Sequence, residues 1–344
     1  MNNYKKGLCS ICCLGYNNAP FIENSLKSIW NQEYKNIEII LLDDGSSDNS
    51  LEILDDLKNA SKFPMTIIKS KHTGNVAASQ NMMIDKAEGE FISFLSLDDC
   101  LEPSALSEKI NLMLKDEKIA FIANSKIKAI NERGEETQGI VPPLKLNEIK
   151  TITVDTLLET EYNEAGSFYV QGSVFRKNII DRINGYDEDM LGDEIVLRTK
   201  VFLFLKANPD YKFRILRNSS CLYRMHSNNL SKNVIRQIQL FCQYLKRYWP
   251  DRKVPQIIYK WAVYGAGRYK IEEYIKAFTF NDISIKMLED KNLQKAIKKM
   301  IINDYIKKSP FRKFFTYEFI GSNHIKLTVL SLFKLTFKAE IGRL

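Results

Sequence analysis

Four times in its first hundred residues the chain passes from a short apolar run into a cluster of small and polar residues and then into a segment of helical period. Apolar runs at 8–14, 37–42, 65–69 and 91–95 read as strands, and the stretches between them carry apolar residues at helical spacing, as in Ile22, Leu26, Ile29 and Trp30. Such alternation predicts a mostly parallel sheet flanked by helices, because parallel strands need long crossovers and bury both faces. In open sheets of this kind ligands bind beyond the carboxyl ends of the strands. Those positions hold Gly15-Tyr16-Asn17-Asn18, Asp43-Asp44-Gly45-Ser46, Lys71-His72-Thr73-Gly74 and Ser96-Leu97-Asp98-Asp99, so four strand ends are expected to form one acidic, hydrogen-bonding rim.

Asp98 and Asp99 follow the run Phe91-Ile92-Ser93-Phe94-Leu95. Adjacent carboxylates at a strand end suit a hard divalent cation that also takes phosphate oxygens. Taken alone they could equally be a solvated turn ahead of the helix that Glu102-Pro103 opens. A second acidic step ends the second strand, where Asp48 is placed to cap the next helix but Asp43 and Asp44 are left for another purpose, such as accepting from a base N–H or a ribose hydroxyl.

These elements, in this order, resemble the family-2 glycosyltransferases of the GT-A fold. The resemblance rests on Tyr16-Asn17 with Ile22, Leu26 and Ser28-Ile29, on 40–48 with its Asp43-Asp44-Gly45-Ser46-Ser47-Asp48, and on Gly74 through Asn81. It continues through 87–95 into Asp98-Asp99, then Gly172-Ser173-Val174-Phe175-Arg176-Lys177, Gly185-Tyr186-Asp187-Glu188-Asp189 and Tyr223-Arg224-Met225-His226. Ordered multiplicity of this kind is more specific than any one motif. It implies an α/β GT-A catalytic domain over 1–231, with a nucleotide-sugar half at 1–100 and an acceptor and catalytic half at 101–231, followed by a region at 232–344.

The implied reaction is a metal-dependent, inverting transfer of a sugar from a nucleoside-diphosphate donor, a UDP-sugar, to a glycan or polyprenyl-diphosphate-linked acceptor in surface polysaccharide synthesis. Tyr16, Asn17, Asp43, Asp44, Gly74, Gln80, Asn81, Asp98 and Arg224 are the implied donor-binding residues, with Asp44 at uracil or ribose. Asp98 matches the last acid of the family's Asp-x-Asp motif, so Asp98, Asp99 and His226 are the implied ligands of Mn²⁺ or Mg²⁺. The general base falls to Asp193-Glu194, a short way after Gly185-Tyr186. Three positions depart from the family: Ser96 replaces the first acid of Asp-x-Asp, Gln80 replaces an Arg, and Asp193-Glu194 reverses the usual acid order. Those departures keep a catalytically impaired carbohydrate- or nucleotide-binding scaffold in view. A sugar-phosphate nucleotidyltransferase is a further alternative, although Gly15-Tyr16-Asn17-Asn18 is not the Gly-rich, cationic triphosphate loop it would want.

Beyond this, charge separates the chain. From Lys232 onward 23 Lys and Arg face 9 Asp and Glu, a net +14, whereas the remainder has 27 against 33, a net −6. The basic part has apolar residues at helical spacing and few Gly or Pro, which predicts a mostly helical appendage. Near its end Phe311, Phe314, Phe315, Phe319, Leu327, Leu330, Phe333 and Phe337 lie among cations, a composition that fits either packing on the catalytic domain or peripheral contact with an anionic membrane. Nothing there resembles a nucleic-acid module, and Tyr264-Gly265-Ala266-Gly267-Arg268 lacks the third glycine of a dinucleotide turn. With no basic-then-apolar leader and no bilayer-length apolar run, the expected location is cytoplasmic, reaching to the inner face of the membrane. The six cysteines fit that compartment as buried thiols, since Cys9 and Cys12 lack the second pair of a zinc site.

Overall fold

The computed structural model describes residues 4–137, 145–192, 194–308, 314–319, 325–330 and 336–341. They form two compact units, Met1–Asn228 and Asn229–Leu344. The first runs β1 (Lys5–Gly15), α1 (Ile22–Trp30), β2 (Ile37–Asp43), α2 (Ser50–Asn59), β3 (Met65–Lys69), α3 (Val76–Lys86), β4 (Gly89–Ser96), β5 (Cys100–Leu101) and α4 (Ser107–Lys115). It continues with β6 (Ile119–Ile130), β7 (Glu136–Thr137), α5 (Val154–Glu164), β8 (Val174–Arg176), α6 (Lys177–Arg182), α7 (Glu194–Ala207) and β9 (Lys212–Arg224).

These strands make one mixed sheet in the order β3-β2-β1-β4-β8-β6-β9-β5, with β7 on β6. The β1–β2, β1–β4 and β2–β3 pairs are parallel. Because β1, β2 and β4 are covered on both faces, they read as nearly unbroken apolar runs: Cys9, Ile11, Cys12 and Cys13 of β1 are fully buried. All six cysteines are free thiols, and burial pushes those of Cys9, Cys12 and Cys13 upward, away from nucleophilic use. Helix α1 lays Ile22, Leu26, Ile29 and Trp30 into the same core as Leu41, Leu95 and Ile110. The sequence order reverses across β1, which has β2 on one side and β4 on the other, and a crevice therefore opens at their carboxyl ends. Register places Gly15 beside Asp43, Leu14 beside Ser96 and Asp43 beside Lys69, so the polar clusters end on one edge.

The apolar stretch 168–175 yields strand only at Val174–Arg176, because Gly172 takes a left-handed φ of 70° and breaks the extension. One expectation gains a detail. The second unit is helical through α8 (Val234–Tyr248), α9 (Gln256–Gly265), α10 (Ile271–Lys276), α11 (Asp282–Met287) and α12 (Lys291–Lys308), and α8 buries Ile238, Phe241, Cys242 and Leu245 at helical spacing. It then departs from helix: β10 (Phe314–Phe319), β11 (Ile325–Leu330) and β12 (Thr336–Ile341) pair antiparallel in that order. Thr336-Phe337-Lys338-Ala339-Glu340-Ile341 alternates with period two, and Thr and aromatic residues favour a pleated surface over helix. The side chains of that stretch, Phe314, Phe315, Phe319, Leu327, Leu330 and Phe337 included, and the whole of Phe311 and Phe333, lie outside the described residues. No helix among the described residues is long and apolar enough to cross a membrane.

One buried cation tests the packing of the first unit. Lys109 falls on the apolar face of α4 between Leu106, Ile110 and Met113, is 2% exposed, and donates to the Ala105 carbonyl. Burial lowers its pKa to about 7, against the opposing charge of Glu108. The unfolded chain keeps its proton up to about 10.4, so between these values the unfolded state binds more protons and stability rises with pH. Lys109→Met is expected to stabilise the protein at pH 7 by on the order of 2 kcal/mol, or ~4–8 °C in Tm. The gain should shrink as pH approaches 10, which thermal melts of both proteins across pH 6.5–10 will read; a constant difference would mean that Lys109 is not neutralised by burial.

Candidate active site

At the carboxyl edge of β1 and β2 the acidic residues are held by the loops they serve. Asp43, 1% exposed, accepts from the Ser46 N–H at 2.8 Å and the Ser46 hydroxyl at 2.5 Å, which closes the turn after β2. Asp44 accepts from Thr73 N–H and Oγ1, both 3.2 Å, and from Gly74 N–H at 3.1 Å, while His72 Nδ1 lies 3.0 Å from its Oδ2. Its two oxygens thus tie the loop after β3 to the end of β2. Asn17 occupies left-handed backbone at φ 52°, a conformation Asn tolerates, and its Oδ1 accepts from Ser47 and Asp48 N–H groups at 2.8 and 3.4 Å. What these loops offer to a ligand is the exposed Tyr16 ring, stacked on His72 at 4.0 Å between centroids and 17° between planes.

Gly45 makes that arrangement possible. Its φ is +72°, and a Cβ there would lie 2.3 Å from the backbone nitrogen of His72. Gly45→Ala must therefore either strain this turn or push the loop after β3 away, at a cost of at least about 2 kcal/mol. A clear drop in Tm is expected in thermal melts; a variant with the parent's Tm would show that the two loops need not touch.

Next to β1, the end of β4 presents Asp98. Its Oδ2 lies 2.9 Å from His226 Nε2, and both side chains are mostly buried, 18% and 7% exposed. The His226 ring packs against Phe21 at 5.0 Å, and its Nδ1 accepts from the Asn228 N–H at 3.3 Å. Asp99 turns inward: it is 1% exposed, its Oδ1 accepts from the Arg224 N–H at 2.7 Å, and the Gln171 side chain also bears on its carboxyl. Burial, then the charge of Asp98, pushes the Asp99 carboxyl well above the usual carboxylate range, with a smaller push from Glu194. Arg224 is also under the loop. Its guanidinium, fully buried, donates to the carbonyls of Asp98 at 2.6 Å, Asn131 at 2.9 Å and Glu132 at 3.0 Å, and covers the Phe21 ring at 4.9 Å. These bonds shape the Asp98-Asp99 turn.

Across from this pair, Glu194 opens α7 with a side chain 30% exposed; it accepts from Arg198 Nη1 at 2.9 Å and the Val170 N–H at 3.3 Å. Asp193 lies outside the described residues. Tyr169 and Gln171, on the stretch leading into β8, complete the surroundings. Burial, then Glu194, raises the Tyr169 hydroxyl pKa, and Gln171 Oε1 accepts the Ser96 N–H at 2.9 Å. Neither residue announced itself in sequence, because each sits in an apolar run without a motif.

Gln80 and Asn81 stand apart from the rim contacts. The Asn81 amide donates to the Tyr186 carbonyl at 3.0 Å and Glu188 Oε1 at 2.8 Å, and its Oδ1 accepts from the Tyr186 N–H at 2.9 Å. It pins the turn at Gly185, where φ is +50° and a Cβ would lie 2.4 Å from Asn81 Oδ1. Gln80 keeps a buried Oε1 without a hydrogen-bond partner among the described residues.

A family model described as Glycosyl transferase family 2 matches residues 10–183, half of the chain. An uncharacterized glycosyltransferase of Haemophilus influenzae is 36% identical over 109 residues, 32% of this chain and 43% of that protein. The GalNAc(5)-diNAcBac-PP-undecaprenol beta-1,3-glucosyltransferase of Campylobacter jejuni is 28% identical over 286 residues, covering 79% and 87% of the two chains. The chain thus spans less than half of the first relative and most of the second. Among solved structures, S. aureus TarS 1–349 in complex with UDP-GlcNAc superposes with a TM-score of 0.57 at 15% identity, covering 96% of this chain and 99% of that one. The mannosyltransferase PcManGT of Pyrobaculum calidifontis, in complex with GDP-Man and Mn²⁺, gives 0.51 at 14% identity over 88% and 81%. At those identities the structural likeness establishes the fold alone.

Proposed function

The chain belongs to glycosyl transferase family 2 and is a glycosyltransferase, and from that premise we propose a metal-dependent, inverting transfer from a UDP-sugar to a lipid-linked glycan. The observation that carries the proposal is the Asp98–His226 pair, 2.9 Å apart at the crevice between β1 and β4, with Glu194 near enough for its charge to bear on Asp99. A carboxylate oxygen and an imidazole nitrogen at that separation can share one ion. Among the described residues no three of His, Cys, Asp and Glu converge on a point. Asp98 and His226 would be the donors from the described residues, with diphosphate oxygens and water adding to the shell. Mn²⁺ or Mg²⁺ held there would neutralise charge on the leaving diphosphate. Asp99 and Arg224 support that site from beneath by fixing the turn that carries Asp98.

The chain's own residues account for the remaining steps. Tyr16, with His72 stacked on it, offers an aromatic face for the base, while Asp43, Asp44, Asn17 and Gly74 hold the loops that frame it. Glu194 would take the proton from the acceptor hydroxyl as that oxygen attacks the anomeric carbon opposite the departing diphosphate, which inverts its configuration. In this reading catalysis belongs to residues 1–231 and the basic region 232–344 meets anionic lipid or the acceptor's diphosphate. A UDP donor and a lipid-linked acceptor are favoured because the Campylobacter relative, matched over most of both chains, is named for an undecaprenol-linked acceptor, and TarS was solved with UDP-GlcNAc.

A panel of UDP-, GDP- and dTDP-sugars, scored for nucleotide release with Mn²⁺, Mg²⁺ or EDTA and no added acceptor, tests the proposal. UDP release that EDTA abolishes is expected. Turnover of a GDP- or dTDP-sugar instead would replace the donor, and turnover unchanged by EDTA would remove the metal.

A further inference from the structure

We infer that Glu161, on α5 and remote from the crevice opening, is a positioning residue for glycosyl transfer: through a two-point grip on Arg198 it fixes the carboxylate of Glu194. The inference rests on the reading of Glu194 as the base. Glu161 is fully buried, and its hydrogen bonds go to Arg198 and Ser167. Its Oε1 accepts from Arg198 Nε at 2.7 Å, and its Oε2 from Arg198 Nη2 at 3.1 Å. The N–H of Ser167, at 3.0 Å, and the Ser167 hydroxyl also donate to Oε1. The remaining guanidinium nitrogen, Nη1, donates to Glu194 Oε2 at 2.9 Å and to the Phe168 carbonyl at 2.8 Å.

The surrounding loop is shaped for this fork. Ala165 turns the chain out of α5 at φ 59°, the Phe168 ring lies 5.7 Å from the guanidinium carbon, and even a Cβ on Gly166 would approach Nη2 to 3.4 Å. A planar guanidinium held on one edge by a buried carboxylate cannot rotate, so its opposite nitrogen is aimed. That aim matters because Glu194 is at the first turn of α7 and partly in water, where an untethered carboxylate would sample several rotamers. Packing alone does not explain the arrangement. A buried ion pair is seldom better for stability than apolar residues of the same volume, and the other residues that α5 buries, Leu157, Leu158, Thr160 and Tyr162, carry no charge. The third member of the network is the residue at the crevice.

A double-mutant cycle separates aiming from mere support. UDP release from UDP-glucose with Mn²⁺ is measured for the parent, Glu161→Gln, Glu194→Gln and the double variant, with UDP affinity by calorimetry. Glu161→Gln is expected to lower kcat roughly tenfold to a hundredfold with UDP affinity unchanged, and to have almost no further effect once Glu194 is Gln. Arg198→Lys, which keeps the charge but loses the fork, should show the same pattern and serves where Glu161→Gln gives no folded protein. Equal losses in both backgrounds, or full activity of Glu161→Gln beside a slow Glu194→Gln, would overturn the inference and leave the base standing. A fully active Glu194→Gln, or a parent that turns over no nucleotide sugar, would overturn the base reading and this inference with it.

Discussion

Glu194→Gln is expected to lower turnover roughly a hundredfold or more while UDP affinity and Tm stay at the parent's values. The amide keeps the size of the side chain and can still meet Arg198 or the Val170 N–H, which now lie 2.9 and 3.3 Å from Oε2, so binding geometry should survive. What is lost is the ability to accept a proton as the acceptor hydroxyl attacks, an interaction made mainly in the transition state, and such losses fall on kcat and kcat/KM alike. Asp193→Asn, made beside it, should retain most activity if the base is Glu194. Product from the parent enzyme, followed by NMR, should carry inverted anomeric configuration. Retention would refute single displacement, and a fully active Glu194→Gln beside an inactive Asp193→Asn would transfer the role to the neighbour.

How much of this was legible beforehand depended on whether the signal was local. β1, β2 and β4 extend their expected runs by one to three residues at an end, because parallel strands buried on both faces leave continuous apolar runs; β3, on the sheet edge and half-exposed, still spans Met65–Lys69 as expected. The rim was legible for the same reason: strand ends were known, and Asp43, Asp44 and Asp98 followed them. Their division of labour was not. Beside its expected place at the nucleoside, Asp44 has oxygens that meet Thr73, Gly74 and His72 from the loop after β3, a pairing with no local trace. Arg224 likewise sits within a motif, but only the tertiary structure reveals that its guanidinium is spent on three backbone carbonyls.

Glu161 left a faint mark. With Leu157, Leu158 and Tyr162 it falls on the apolar stripe of α5, and a carboxylate on an apolar stripe demands a buried partner. Lys109 carries the same mark on α4 but hydrogen-bonds to a carbonyl, with no carboxylate in contact among the described residues, and burial lowers its pKa instead. Sequence could flag both and distinguish neither, since the outcome turns on whether another helix brings the opposite charge. The short strands that close the mostly helical appendage were illegible for a different reason. Short runs rich in Phe, Leu and Thr fit helix and strand periods alike, and over six residues the two are hard to separate.

The second large effect is expected at Asp98. Asp98→Asn should weaken Mn²⁺-dependent UDP binding by more than about a hundredfold, since even outer-shell partners of a metal commonly account for 10–100-fold in affinity. Two features make the site intolerant. Ser96 supplies no acid where Asp-x-Asp would begin, and Asp99 is buried with Oδ1 committed to the Arg224 N–H, so neither neighbour can take over the charge. An asparagine would also face His226 Nε2 with a neutral amide in place of a carboxylate 2.9 Å away. Calorimetry of UDP with and without Mn²⁺, on parent and variant, decides the matter, and His226→Gln adds a third arm in which a smaller loss is expected because the carboxylate remains. Metal-dependent binding in the parent that disappears in Asp98→Asn supports the assignment. Unchanged affinity in the variant would move the ion elsewhere. Equal binding by the parent with and without Mn²⁺ would remove the metal from donor recognition altogether.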